Sequence, residues 1–456
     1  MSGPAEAEIP LAGPVGPRAA FISLRTRNYR LFAIGQFFSS TGLWVQRIAQ
    51  DWLVLTLTGS ATAVGITTAL QFLPSVLFGL LGGLLADRYS KRRLLLITQT
   101  AAALMSALLA VLTLTGVVHA WHVFVIAFAL GTAAALEIPT RHSFVNELVP
   151  PAQLRNAISL NAAIFQLGAL IGPAISGYLV TAVGPGYSFA INAAAYLAPM
   201  VALLRMRGDA LRHPVRPAVT ERASRQLVDG LRYVAHRPQI LWLTVLIGTF
   251  GIFIASIPVT NAAFARMVFH SGAAGYGMLS SVVAIGSVLG ALFAASRGRP
   301  RLRTSVLSAA ALAGLFLLAS VVPGLVGYAI VAGAIGFATM TLVTAANSTV
   351  QTAAEDHVRG RVIGLYMLVF LGGGAIGGPI IGAVAEYFGP RAGMLVAGVA
   401  AGLVTLVVAV QLGRAVGFRF RLRRVRRPAA AVVVAAATRQ PQPTGIVSDS
   451  GEPGQG

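Results

Sequence analysis

The chain has 456 residues, of which 56% are hydrophobic and only 11% charged, with a mean hydropathy of +0.75. A soluble protein carries about 25% charged residues, so this composition excludes a globular surface in water and points to a membrane protein. The net charge of +21 fits positions beside membrane spans better than a nucleic-acid surface. A sequence without cysteine excludes disulfide and thiolate chemistry.

Residues 1–30 are Pro/Gly-rich and then basic, with Arg18, Arg25, Arg27 and Arg30, and read as a cytoplasmic tail. The first apolar run, 31–57, is too long for a signal-peptide core. A membrane helix needs roughly 20 apolar residues, and the N-terminal half offers six such runs, at 31–57, 62–86, 94–116, 119–138, 157–182 and 187–204. None alternates with period 2, which argues for helices rather than a transmembrane barrel. The first run carries Gln36, Ser40, Trp44, Arg47 and Asp51 at spacings of three and four, a polar stripe that predicts a wet cavity on that face. Glu137 and Arg141, also four apart, fall at the end of the fourth run.

A middle loop, 205–239, holds eight arginines from Arg205 to Arg237 and an amphipathic segment with Leu227, Leu231 and Val234 at helical spacing. Two readings of that helix stand side by side: a brace between the halves, or a surface helix lying on lipid. Six further runs follow at 240–264, 273–296, 304–322, 325–350, 361–385 and 391–412. The segment 414–456 begins with Arg414 and the cluster Arg419-Phe-Arg421-Leu-Arg423-Arg424-Val-Arg426-Arg427, which suits anionic lipid headgroups. Residues 1–17 and 429–456 have a disordered composition.

Lys91 is the single lysine among the 35 cations, and the cations alternate from junction to junction. They cluster before run 1, between runs 2 and 3, 4 and 5, 8 and 9, 10 and 11, in the middle loop and in the tail. Only Arg266 and Arg391 fall on the opposite side, and Arg47 falls inside a span. By the positive-inside rule both termini and the middle loop face the cytoplasm.

The halves repeat. Gly168-x-x-x-Gly172-Pro173-x-x-x-Gly177 returns as Gly374-x-x-x-Gly378-Pro379-x-x-Gly382, and Arg155 and Arg361 are related by the same separation as the prolines. Gly83-x-Leu85 and Gly290-x-Leu292 are related by nearly the same one. Parallel duplicated halves put the functional cavity between them, near the midplane. The expected fold is therefore an all-α membrane protein of twelve helices in two pseudo-symmetric six-helix bundles, 31–204 and 240–413.

The loop Gly83-Leu84-Leu85-Ala86-Asp87-Arg88-Tyr89-Ser90-Lys91-Arg92-Arg93 resembles the signature loop of the major facilitator superfamily. The resemblance implies a cytoplasmic gate built on Gly83, Asp87, Arg88, Lys91 and Arg92, with Arg141 and Glu137 as further members. Ser90 replaces the usual glycine, where a positive φ would be strained, and Ala294 stands in the second half where Asp87 stands in the first, so the gate should be asymmetric. Gly168, Gly172, Pro173 and Gly177 resemble the antiporter motif of exporters, with only the second glycine of its final pair kept. Glu137-Ile-Pro139-Thr-Arg141, Asn156-Ala-Ile-x-Leu-Asn161, Trp52-Leu-Val-Leu-x-Leu-Thr58-Gly-Ser60 and Asp229-Gly-Leu-Arg-Tyr233-Val resemble the bacterial branch that includes siderophore and macrolide exporters.

Ionisable groups inside a span are costly and mark function by default. Asp51, Arg47 and Glu137 are the candidates for proton coupling. Burial favours the neutral form of Asp51 and a paired Arg47 its charged form, so a change in pairing would change proton affinity. A permanent Arg47–Asp51 ion pair is the competing reading. For span 5 the readings are close helix packing or a pivot against a span of the other half. Gln36, Ser40, Trp44, Gln71, Asn161, Phe165, Asn192, Asn347 and Tyr366 are candidates for lining the cavity, as are Phe38, Gln166, Phe250, Asn261 and Gln351. Together they describe a large, mostly apolar pocket for amphiphilic, uncharged or weakly charged solutes.

The sequence lacks a phosphate-cradling Gly-Lys-Ser/Thr loop, and His119 and His122 are too few for a metal site. The reading is a transporter, not an enzyme, with no cofactor or metal and with protons and a small amphiphile as partners. Export by proton antiport is expected; uptake, or a non-transporting scaffold or sensor, stays open.

Overall fold

Apolar side chains around the whole circumference bury well only in lipid or against other helices, and the chain obeys. The computed structural model describes residues 19–208, 211, 223–297, 302–355 and 358–416, and the described residues contain helices and no strands. The N-terminal half comprises α1 (Arg27–Thr58), α2 (Ala61–Arg88), α3 (Lys91–Leu114), α4 (Ala120–Leu148) and α5 (Pro151–Ala182). A broken sixth span completes it, α6 (Pro185–Ala195) and α7 (Leu197–Arg205).

A connecting helix, α8 (Ala223–Ala235), leads to a second half built the same way. Its first span is again broken, into α9 (Pro238–Ala255), α10 (Ile257–Ala263) and a π-helical turn Phe264–Val268. Then follow α11 (Gly272–Ser296), α12 (Leu302–Val321), α13 (Leu325–Ala353), α14 (Arg359–Phe388) and α15 (Pro390–Val416).

Among the described residues, eleven spans are long and apolar enough to cross a membrane. The twelfth, α1, has the length at 32 residues but carries Arg27, Arg30, Arg47 and Asp51. It is held by α5, α6 and α7, while α9 is held by α14 and α15. The halves meet along two related seams, α2 on α14 and α5 on α11.

Glycine sets how closely these seams close. A Cβ on Gly378 would stand 2.6 Å from the carbonyl oxygen of Gly65, and one on Gly177 3.0 Å from the Cα of Gly277. Gly168 and Gly172 serve a different contact, against Ser40, Thr41 and Trp44 of α1 in their own half. The span-5 motif thus divides its work, with Gly177 facing the other half. Farther along α2 the seam parts: a Cβ on Gly79 or Gly83 would meet no described atom within 4 Å.

Several boundaries differ from the sequence expectation. α4 runs ten residues past 138 and takes in Pro139, because a span of this length tolerates an internal proline when its neighbours satisfy the backbone. A 3₁₀ turn, Ala19–Arg25, belongs to the folded half and not to a tail; the hydroxyl of Ser23 donates to Asn156 Oδ1 at 2.6 Å. Ser90 has φ −61°, so the signature loop needs no positive φ there. The middle helix α8 packs on α9 and α14 of the second half, with Val234 in the core and Asp229 3.9 Å from Arg361. Leu231 of the predicted apolar stripe is exposed. Residues 1–18, the loop arginines 212, 216 and 222, residues 299 and 301, and the basic segment Arg419–Arg427 with the rest of the tail lie outside the described residues.

Candidate functional site

The polar stripe of α1 splits in two. Gln36 and Ser40 are buried and satisfy each other, Gln36 Nε2 donating to Ser40 Oγ at 2.9 Å. They pack inside the first half, under α5, and line neither the cleft nor the smaller pocket described below. One turn on, Trp44, Arg47 and Asp51 face a cleft between the halves, whose other walls are Thr68, Gln71 and Phe72 of α2, Ile254 and Pro258 of the broken span, and Phe370, Leu371 and Gly374 of α14. The cleft holds about 190 Å³ of water-sized space.

Arg47 and Asp51 do not form the ion pair their spacing allows. The guanidinium of Arg47 sits 5.3 Å from the ring centroid of Trp44 and 5.7 Å from that of Phe72, an arrangement in which two ring quadrupoles attract the cation. Asp51 instead accepts a hydrogen bond on Oδ2 from the hydroxyl of Tyr276 in α11, at 2.8 Å. Asp51 is only 4% exposed, and its Oδ1 has no hydrogen-bond partner among the described residues. A carboxylate satisfied on one oxygen only keeps an unused acceptor at the boundary between the halves.

Glu137 lies well inside α4 and not at its end. Roughly 16 Å of helix separates it from Leu148 at 1.5 Å per residue, and it pairs with Arg141 at 3.8 Å. Both line a smaller pocket of about 110 Å³ inside the first half, with Gln46, Gln50, Phe165 and Tyr196. Arg47 and Gln71 line this pocket as well as the cleft, so the two spaces share a wall.

The end of the molecule that carries the signature loop is open. Asp87 and Arg88 are exposed and have no hydrogen bond or ion pair among the described residues. They therefore do not join Glu137 and Arg141 in one network. Lys91, by contrast, is buried and pairs with Glu147 at 2.6 Å, tying α3 to α4. Arg92 donates to the carbonyl of Leu204 at 3.0 Å. These two loop cations brace their own half.

The opposite end is closed by three contacts. Arg266 of the π-helical turn donates to the carbonyl of Leu55, near the C-terminus of α1. Glu386 Oε2 accepts from Ser60 Oγ at 2.5 Å and from the backbone N–H of Thr62 at 2.9 Å, at the N-terminus of α2. The second half thus presents a cation to a helix C-terminus and an anion to a helix N-terminus, the signs the helix dipole favours. Gly59 makes the turn between them possible, with φ +70°. Arg391, the other cation outside the alternation, donates to the carbonyls of Ser320 and Val322 at the end of α12.

The remaining cavity candidates scatter. Gln71 and Phe165 line the two spaces. Asn192 is buried and donates to Gln46 and to Ser106 Oγ, the latter at 3.1 Å, so it fastens α6 to α1 and α3. Asn261 accepts from Tyr328 at 3.0 Å in the second-half core, and Phe250 is fully buried there. Asn161 and Tyr366 are buried, each with a polar atom lacking a partner among the described residues. Asn347 accepts from Gln351 at 3.0 Å in a partly exposed position, Gln166 is partly exposed and Phe38 exposed. The packed ones read as cavity residues because an amide in an apolar run looks the same whether a neighbour or a solute satisfies it.

Sequence reasoning missed Phe72, Tyr276, Glu147 and Glu386. Each is an ordinary residue made functional or structural by a partner distant in the chain. The acids carried a signal, since the sequence has only 14 acidic residues; the two aromatics carried none.

The geometry has its counterparts among known proteins. A family described as transmembrane secretion effector matches residues 18–437. The multidrug efflux pump Tap of Mycolicibacterium fortuitum is 28% identical over 368 residues, covering 78% of this chain and 89% of that protein. The enterobactin exporter EntS of Salmonella typhimurium is 23% identical, covering 86% and 94%. The staphyloferrin A transporter of Staphylococcus aureus is 28% identical over 56% of this chain and 65% of its own. Among solved structures, a mutant form of the nucleoside transporter NupG superposes with a TM-score of 0.66 at 14% identity, covering 86% of this chain and 99% of its own. A bacterial homologue of the human lysosomal transporter Spinster, inward-facing and occupied, gives 0.65 at 15%, covering 87% and 97%. The chain belongs to the transmembrane secretion effector family and is a membrane transporter of the major facilitator type.

Proposed function

We propose that this transporter exports small hydrophobic or amphiphilic compounds from a bacterial cytoplasm in exchange for protons, by rocking of its two halves about the central cleft. The observation that carries the reading is the Asp51–Tyr276 hydrogen bond, which places a titratable group at the floor of the cleft and on the seam that must break when the closed end opens. The arginine alternation supports placing the open end, with Asp87, in the cytoplasm. In that orientation both termini are cytoplasmic and the cleft loads from inside. Names of relatives such as multidrug efflux pump and enterobactin exporter support the direction and the solute class.

Inverted membrane vesicles test this. Proton-driven uptake of amphiphilic antibiotics or siderophores into them, abolished by an uncoupler and by Asp51→Asn, is the expected result. Uncoupler-insensitive transport, or full proton-driven transport by Asp51→Asn, removes proton coupling at this residue. Accumulation only in right-side-out vesicles would make the protein an uptake system.

A further inference from the structure

The two charges of the cleft wall, Arg47 and Asp51, are of opposite sign but make no direct contact. Asp51 takes its hydrogen bond from Tyr276, a neutral donor. Arg47, the remaining charged residue on the cleft wall, makes no ion pair or hydrogen bond among the described residues; its contacts are the faces of Trp44 and Phe72. Ring faces attract a cation but accept none of its N–H groups in hydrogen-bond geometry, so the five donors of the guanidinium edge stay available. Trp44 adds another donor on the same helix turn, since its Nε1–H also lacks a partner among the described residues. An arginine kept partly buried with its N–H groups unused is costly in an apolar site, and a ligand anion that accepts from them would remove that cost.

We propose that Arg47 is the specificity residue of the cleft and selects solutes with one anionic group, such as a carboxylate or phenolate, on an apolar body. The apolar part has a place prepared for it: Ile48, Ile254, Pro258, Phe370 and Leu371 line the same space. A single anion is favoured over two because Asp51 lies one helical turn from Arg47 and would repel a second. The planar fork of arginine suits a carboxylate bidentately, and Trp44 and Phe72 hold it in place before the solute arrives. This inference rests on the transport reading above and names the chemistry of its solute, which the sequence alone left as uncharged or weakly charged.

The test uses purified full-length protein and two probes that differ by one charge, dansyl-leucine and its methyl ester. Binding is read by energy transfer from the tryptophans, of which Trp44 lies in the cleft. The acid should bind at least tenfold tighter than the ester. Arg47→Gln should erase the difference while leaving the ester's affinity within about twofold, and Arg47→Lys should retain most of the preference. Displacement of the acid by phosphatidylglycerol micelles would identify a lipid headgroup as one source of the anion, and failure to displace it would point to a soluble solute; the anionic site stands either way. Equal affinity for the two probes, no binding of the acid, or a preference that survives in Arg47→Gln overturns the proposal. The export reading fails separately: a clear acid preference without uncoupler-sensitive transport would sink export alone, and sound export with equal affinities would sink only the role of Arg47.

Discussion

Tyr276 donates its hydroxyl hydrogen to Asp51 at 2.8 Å, joining α11 to α1 across the seam between the halves. Removing the donor with Tyr276→Phe leaves both carboxylate oxygens unpartnered, while the ring still stacks on Trp52, 6.3 Å away between centroids. A hydrogen bond to a charged group contributes about 1.5–3 kcal/mol, so the closed end should lose roughly a tenfold or greater bias. The sequence has no cysteine, which makes a single Leu371→Cys in the cleft a clean reporter. An impermeant maleimide applied from the Ser60 side should label it about ten times faster in the Tyr276→Phe background. An unchanged rate would show that this bond does not hold the end closed.

Glu386 reaches both Ser60 and the N-terminus of α2. Glu386→Gln keeps the size of the side chain but removes the charge that favours a helix N-terminus, an interaction of about 0.3–1 kcal/mol at an exposed site. The same cysteine reporter should respond by a factor of about two to five, less than for Tyr276→Phe. Glu386→Ala, which loses the hydrogen bonds too, should respond more strongly than Glu386→Gln. A Glu386→Gln variant that labels at the rate of the unaltered protein would exclude a charge contribution.

Gly378 and Gly79 make a matched pair of backbone tests. A Cβ on Gly378 collides with the carbonyl of Gly65, whereas one on Gly79 meets no described atom within 4 Å. Gly378→Ala should therefore spread the α2–α14 seam and lower transport several-fold. Gly79→Ala should leave transport within about twofold and raise helix stability, since alanine is favoured over glycine by about 1 kcal/mol in a helix interior. Equal activity of the two variants would mean the seam has more slack than its backbone spacing implies.

The Lys91–Glu147 pair is buried on both sides. Glu147→Gln strands the lysine charge, and breaking a buried pair costs about 3–5 kcal/mol. Thermal unfolding of the detergent-solubilised protein should shift down by several degrees. The double variant Lys91→Met, Glu147→Leu should recover most of the loss, because apolar replacement of a whole buried pair is close to neutral. If the double variant is no more stable than the single one, the ion pair itself is required.

The glycine motifs could be read in advance as sites of close helix approach, because backbones approach closely only where side chains are absent. Which helix each glycine meets could not: Gly168 and Gly172 face α1 of their own half, whereas Gly177 and Gly378 face the other half. The arginine alternation was legible because charge beside lipid has one sensible place. The site was legible only to the level of the α1 stripe. Helical spacing brings Arg47 and Asp51 onto one face, but it does not show that Tyr276 takes the acid and that Trp44 and Phe72 take the cation. Glu137 looks shallow in the sequence because Pro139 and Arg141 resemble a helix end, while the neighbours of α4 let it continue to Leu148.

Helix α1 has a consequence for how the protein is made. It leaves the ribosome before the helices that shelter it, yet it is poorly suited to rest alone in hydrocarbon, because it carries Arg47 and Asp51 in its C-terminal half. The helices that shelter it, α5, α6 and α7, lie in residues 151–205, so translation must run more than a hundred residues further before its charges have a settled home. Until then α1 depends on the insertion machinery or on water at its flank. Arg47 and Asp51 thus make α1 dependent on helices that are synthesised after it.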